Sequence, residues 1–261
     1  MRRWSICRAT DAYPQNSDHR IGSDASKENM AGKRQDSGRD GPQPLVLGER
    51  FGRAVDYART LHVERRKGTG IPSMAHLLGV ASLVVSQDGR IPFAVTEDMV
   101  VAAVLHDTVE DHGGAGRLND LADHFGDAVA RMVEGLSDSL GEDRNSKEPW
   151  EQRKRRYLAR LAHESPEVRL ISAADKLDNA RAILDDYRRI GPEVWKRFAR
   201  SRDLQLWYFR ELLTIFARAG TNRIVAEFGR VVGELERLSA DETRPARRGK
   251  GGGHGKDPLP T

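Results

Sequence analysis

The sequence predicts an all-α fold, a compact multi-helix bundle with disordered N- and C-terminal tails. Three observations predict it. Apolar residues recur at helical spacing through most of residues 45–240, as in Ile224, Val225, Phe228, Val231, Val232, Leu235 and Leu238. Gly, Pro and helix-capping residues divide that pattern into segments of helical length. No segment reads as a convincing β-strand. The 261 residues suffice for a substantial core. A composition of 38% hydrophobic and 31% charged residues nevertheless implies segments that bury little.

Residues 1–44 are rich in Ser, Asp, Gly, Gln, Asn, Arg and Pro without sustained periodicity and read as a disordered tail. A first helix is expected over 47–66, with Val55, Ala58, Leu61 and His62 on one face. The breakers in Lys67-Gly68-Thr69-Gly70-Ile71-Pro72 make a loop. A second helix spans 73–87, and Asp88-Gly89-Arg90-Ile91-Pro92 ends it. Thr96 caps a third helix, with Glu97 and Asp98 in its first turn. That helix carries the apolar run 99–105 and then His106-Asp107-Thr108-Val109-Glu110-Asp111, ahead of Gly113-Gly114. Shorter helices over 118–125 and 128–136 flank Gly126, and 142–147 is a polar loop. Longer helices follow over 149–163, 166–189 and 192–219, Pro166 and Pro192 each suiting a first turn. A last helix spans 222–238, and 241–261 is a second disordered tail.

The net charge of +4 belongs to the tails. Residues 1–49 and 244–261 together hold thirteen of the 43 basic and eight of the 39 acidic residues. The remainder, 50–243, is left with 30 and 31 and is nearly neutral. That disfavours a nucleic-acid partner for the folded part, and the basic tail reads as solvated chain. A single cysteine, Cys7, excludes an intramolecular disulfide and a Cys-rich zinc site. No apolar run reaches membrane-spanning length, and the N-terminus lacks the apolar core of a signal peptide, so a cytoplasmic protein is expected.

The chemistry concentrates at residues 106–111. A buried helix seldom ends in four groups that bind metal or move protons, because each costs free energy to desolvate unless paired or ligated. His106 and Asp107 can offer one nitrogen and one oxygen to a divalent cation. Glu110 and Asp111, a turn later, stand near it without having to be ligands. His76 and Asp175 are also polar residues set in apolar helical stretches. The four positions His76, His106, Asp107 and Asp175 therefore read as one mixed nitrogen and oxygen site. Such a set, without thiolate, suits Mn²⁺, Fe²⁺ or a similar cation, which activates water at a phosphoryl centre.

These residues resemble the HD-domain metal-dependent phosphohydrolases. With Arg66-Lys67-Gly68-Thr69, Ile71-Pro72, residues 106–111 and Ala174-Asp175-Lys176-Leu177-Asp178-Asn179-Ala180-Arg181, the chain resembles the guanosine tetraphosphate hydrolase domain of the RelA/SpoT family over roughly residues 45–220. The resemblance implies an HD-domain bundle over 45–240. It implies His76, His106, Asp107 and Asp175 as ligands of Mn²⁺ or another divalent cation, and Glu110 and Asp111 as the catalytic acid–base pair. It implies Arg66 and Lys67 at the nucleotide, Asn179 at sugar or phosphate, and Lys154 neutralising the 3′-diphosphate. Ser73 stands where many members have an aromatic residue, and Asp178 where His, Tyr or Asn is more usual. The tails are too short to encode a synthetase domain, so the likeness is to a standalone small alarmone hydrolase.

The expected activity is metal-dependent removal of the 3′-diphosphate of guanosine tetra- or pentaphosphate, on a small nucleotide and away from membranes. Two alternatives stand beside it. One is the same chemistry on another nucleotide, such as an adenosine alarmone or NADPH. The other is a non-catalytic nucleotide-binding regulatory module. Tyr157 reads as core, and the lone His112, His124 and His163 read as surface residues. Oligomeric state is not legible in the sequence.

Overall fold

Residues 99–105 are apolar on every side, and a helix of that composition has to be covered all round. In the computed structural model, which describes residues 44–141 and 148–241, they form the heart of α3 (Glu97–Leu105), and all seven are buried. The larger of them contribute roughly 1.5–3 kcal/mol each through burial. All described residues lie in the unit Pro42–Thr261. The tail segments 1–43 and 242–261 and the loop 142–147 fall outside them.

Around α3 pack α1 (Glu49–Leu61), α2 (Met74–Val85), α6 (Asp127–Leu136) and α8 (Pro166–Ile190). The remaining helices are α4 (Thr108–Asp111), α5 (Gly114–Phe125), α7 (Trp150–Leu161), α9 (Arg202–Ala219) and α10 (Arg223–Asp241). Local chemistry sets their ends. The Thr96 hydroxyl accepts from the Met99 amide at 3.3 Å, and the Ser165 hydroxyl from Val168 ahead of Pro166. Gly126, at φ +88°, makes the turn between α5 and α6 that a side chain would strain. The all-α expectation holds, with no strand among the described residues beyond a single bridge between Arg65 and Pro72.

Three expected helices end differently. The first stops at Leu61 instead of Arg66, because residues 62–73 fold back as a hairpin-like loop. In it the Arg66 amide donates to Ile71 O at 2.9 Å and the Ser73 amide to Glu64 O at 3.0 Å, replacing helical bonds. The third stops at Leu105. Asp107, at φ −88° and ψ −8°, tightens the chain, and α4 starts afresh. The helix expected over 192–219 divides into a 3-10 turn, Gly191–Arg197, and α9. Phe198 is extended there, and the Ser201 hydroxyl caps α9 by accepting from Leu204.

Candidate active site

His76 enters from the first turn of α2, His106 and Asp107 from the break between α3 and α4, and Asp175 from the middle of α8. Both imidazoles are buried and each is fixed through Nδ1. His76 Nδ1 lies 2.6 Å from Asp178 Oδ2, and His106 Nδ1 lies 2.8 Å from Ala103 O. An Nδ1–H donating to oxygen leaves the Nε2 lone pair free for a cation.

The Nε2 atoms face the carboxylates. His76 Nε2 is 3.7 Å from Asp107 Oδ2 and 3.3 Å from Asp175 Oδ1. His106 Nε2 is 3.3 Å from Asp107 Oδ1 and 3.8 Å from Asp175 Oδ1. Ligands about 2.1 Å from one cation lie roughly 3.0–3.4 Å apart along polyhedron edges, so the set needs only small adjustment. His106 Nε2 is buried with no hydrogen-bond partner among the described residues, which suits an ion-binding nitrogen. The four residues fit a divalent cation.

Electrostatics agree. Burial disfavours charge on His76, but Asp175, Asp178 and Asp107 outweigh it and raise its pKa to about 9. Burial also opposes ionisation of Asp107 and Asp175. The imidazoles hold Asp107 down, and Lys176 with His76 and His106 holds Asp175 well down. Lys176 Nζ lies 2.5 Å from Asp175 Oδ2.

A second ring of contacts runs through Arg66. Its guanidinium donates to Asp178 Oδ2 at 3.1 Å and to Asn179 Oδ1 at 2.6 Å. Asn179 Nδ2 in turn donates to Asp175 Oδ1 at 2.5 Å. Arg66 thus grips two metal-site residues indirectly, one through Asp178 and one through Asn179. Gly79, one turn beyond His76, leaves room for this: a Cβ there would sit 2.7 Å from Asp178 Oδ1. Sequence reasoning missed Asp178, because its role is set by a helix 102 residues away in the chain.

The two residues of the expected acid–base pair part company. Glu110 lies 3.8 Å from Arg153 and hydrogen-bonds Asp138. Asp111 shares a pocket wall with His62, Glu64, Arg66, Lys67, His76, Asp107 and Asn179. Lys154 is drawn to Asp138, 2.5 Å from Oδ2, with the Tyr208 ring 5.0 Å away. Arg153 pairs with the other oxygen of Asp138. Burial opposes charge on Asp138, but Lys154 and Arg153 hold its pKa at about 2. Asp138 and Arg153 were also missed, although Arg153 adjoins Lys154 in sequence. Tyr157 is core, as expected, and His124 and His163 are exposed. His112 departs from the surface reading: only 23% of its side chain is exposed, and its ring packs edge-on against His62. A separate cleft lined by Phe93, Leu170, Phe216 and Val225 offers two arginines but no carboxylate, imidazole or thiol.

Comparison with known proteins agrees with this geometry. The HD domain family matches residues 54–204. The guanosine-3′,5′-bis(diphosphate) 3′-pyrophosphohydrolase MESH1 of Homo sapiens is 32% identical over 176 residues, 67% of this chain and 87% of the human one. A guanosine-3′,5′-bis(diphosphate) 3′-pyrophosphohydrolase of Aquifex aeolicus is 32% identical over 135 residues, which is 52% of this chain but 18% of that longer protein. A solved structure, of a metazoan ortholog of SpoT that hydrolyzes ppGpp and plays a role in starvation responses, superposes with a TM-score of 0.56 at 26% identity, over 74% of this chain and 97% of that one. The match across 54–204, together with the shared length and identity with MESH1, establishes that the chain belongs to the HD domain family, among the relatives of that enzyme.

Proposed function

We propose that the protein is a metal-dependent hydrolase that removes the 3′-diphosphate of guanosine tetra- or pentaphosphate, giving GDP or GTP and pyrophosphate. The observation that carries this reading is the convergence of His76, His106, Asp107 and Asp175 with both Nε2 atoms turned inward. A divalent cation, which we take to be Mn²⁺, supplies a water nucleophile at neutral pH and a Lewis acid at phosphorus when bound. Water adds to the phosphorus carrying the ribose 3′-oxygen, the P–O3′ bond breaks, and the 3′-oxygen leaves with a proton.

The chain's own groups handle the rest. We assign Asp111, on the pocket wall, to accept the proton of the attacking water. We assign Glu110, which lies beside Arg153 and hydrogen-bonds Asp138, to the proton on the leaving oxygen. Lys154 acts on charge developing at the diphosphate while anchored by Asp138. Lys67, exposed beside the pocket, reaches the nucleotide phosphates, while Arg66 and Asn179 present their remaining surface to base and sugar.

The test is release of pyrophosphate from the tetraphosphate by purified protein with Mn²⁺, Mg²⁺ or Zn²⁺. Wild type turns over with Mn²⁺, Asp107→Ala does not, and Glu110→Gln loses at least about 10²-fold in kcat. Turnover of an adenosine alarmone or NADPH, without turnover of the guanosine tetraphosphate, would keep the chemistry and reject the substrate. A wild-type protein inert on all of them would reject the enzyme.

A further inference from the structure

A second group of side chains that could hold a metal has two members, His62 and Glu64, on the same pocket wall, and none of the group is needed as a ligand of the first site. His62 follows α1, Glu64 lies two residues on in the hairpin-like loop, and His112 ends α4. Each offers one ligand atom, and the three atoms all lie within 4.8 Å of one another. His62 Nδ1 is 3.3 Å from Glu64 Oε1, and His112 Nε2 is 3.8 Å from Glu64 Oε2. The two rings meet edge to face with centroids 4.5 Å apart.

One hydrogen bond, between His62 Nδ1 and Glu64 Oε1, joins two of the three side chains. The 3.8 Å separation is too long for a direct bond, and 3.3 Å is at the weak end. The 3.3 Å separation matches the edge of a coordination polyhedron with bonds of about 2.1 Å, and the 3.8 Å one reaches it with a small side-chain adjustment. His62 is 3% exposed, and its Nε2 is buried with no hydrogen-bond partner among the described residues. The nitrogen of His62 that faces Glu64, Nδ1, is the one a cation between the three side chains would take, and Nε2 is left as the N–H of that tautomer.

We propose that His62, Glu64 and His112 bind a second divalent cation of the borderline class, Zn²⁺ or Co²⁺, separate from the cation of His76, His106, Asp107 and Asp175. Two imidazoles and one carboxylate, without thiolate, are the donor set of that class with coordination positions left over. Glu64 borders the pocket that also contains His76, Asp107 and Asp111, so those positions open toward it. The site follows from the three side chains and stands whether or not the substrate assigned above is correct.

The test is metal stoichiometry on the full chain, by equilibrium dialysis against Co²⁺ or Zn²⁺ alone, with the d–d absorption of bound Co²⁺ followed during titration. Wild type binds two equivalents. Glu64→Gln, a near-isosteric change at a partly exposed position, binds one, as does His112→Phe. Asp107→Ala, at the other site, also binds one and keeps the Co²⁺ band that Glu64→Gln loses. Circular dichroism verifies that each variant is folded, and Glu64→Gln carries the test if His112→Phe is not. One equivalent in wild type overturns the proposal, and so do two equivalents retained by Glu64→Gln.

Discussion

Gly79 and Asp178 allow the strength of the metal site to be altered without touching a ligand. Asp178 Oδ2 is 2.6 Å from His76 Nδ1 and 3.1 Å from the Arg66 guanidinium. A hydrogen bond to a charged group nets about 1.5–3 kcal/mol. Expressed in cation affinity, that is about 10- to 100-fold, the usual effect of losing a carboxylate behind a metal-bound imidazole. Asp178→Ala should therefore weaken cation binding by about 10- to 100-fold. Asp178→Asn, which keeps an oxygen acceptor for Nδ1–H, should weaken it by less than about tenfold. Gly79→Ala reaches the same carboxylate sterically, since the new Cβ would meet Asp178 Oδ1 at 2.7 Å and force it to move. Alanine also gains about 0.8–1 kcal/mol over glycine inside a helix. Gly79→Ala should thus lower cation affinity while its intrinsic helix preference favours stability, a divergence that a merely structural role would not produce. Calorimetric titration with Mn²⁺, thermal unfolding without metal, and kcat and KM at saturating and limiting Mn²⁺ separate the two effects. Cation affinity within twofold of wild type in Asp178→Ala would refute the reasoning.

Three further outcomes are expected. Removing the charge of Asp138 takes from buried Lys154 and Arg153 their nearest carboxylate, so Asp138→Asn should cost roughly 3–5 kcal/mol by denaturant unfolding; in wild type, the depressed Asp138 pKa contributes stability that is present above about pH 4 and lost as pH falls toward about 2. The raised His76 pKa means that a cation has to displace a proton at neutral pH, so affinity should climb with pH up to about 9 and titrations in buffers of different ionisation enthalpy should show proton release; the same group's stabilisation of the metal-free protein should be full below about pH 6.5 and fade by about 9. Leu105→Ala, at a fully buried position next to His106, should lower stability by about 2–5 kcal/mol in thermal or denaturant unfolding.

What the sequence discloses depends on how local the cause is. The α3 core follows from seven consecutive apolar residues, and the starts of α3 and α8 follow from Thr96 and from Ser165-Pro166. The four convergent ligand candidates are legible because polar residues in apolar stretches need a reason to be there. The break after Leu105 is not legible, since it depends on the backbone angles of Asp107. Nor is the end of α1 at Leu61, which rests on cross-loop bonds between 64–66 and 71–73. Asp178, Asp138 and Arg153 look in sequence like ordinary charges on helices or loops. Their partners come from elements brought close only by folding, as the 102-residue separation of Asp178 from His76 illustrates. His112 looks isolated for the same reason.

The break between α3 and α4 has a consequence for how such a site can diversify. Two ligand candidates follow the buried run 99–105, where nearly any change disturbs the core. Glu110, Asp111 and His112 ride on a four-residue turn with its own backbone bonds, from Asp111 N to Asp107 O and from His112 N to Thr108 O. A substitution of the Asp111 side chain reaches the pocket without entering the buried run 99–105. The two halves of one six-residue motif therefore differ in how far a side-chain change disturbs the core.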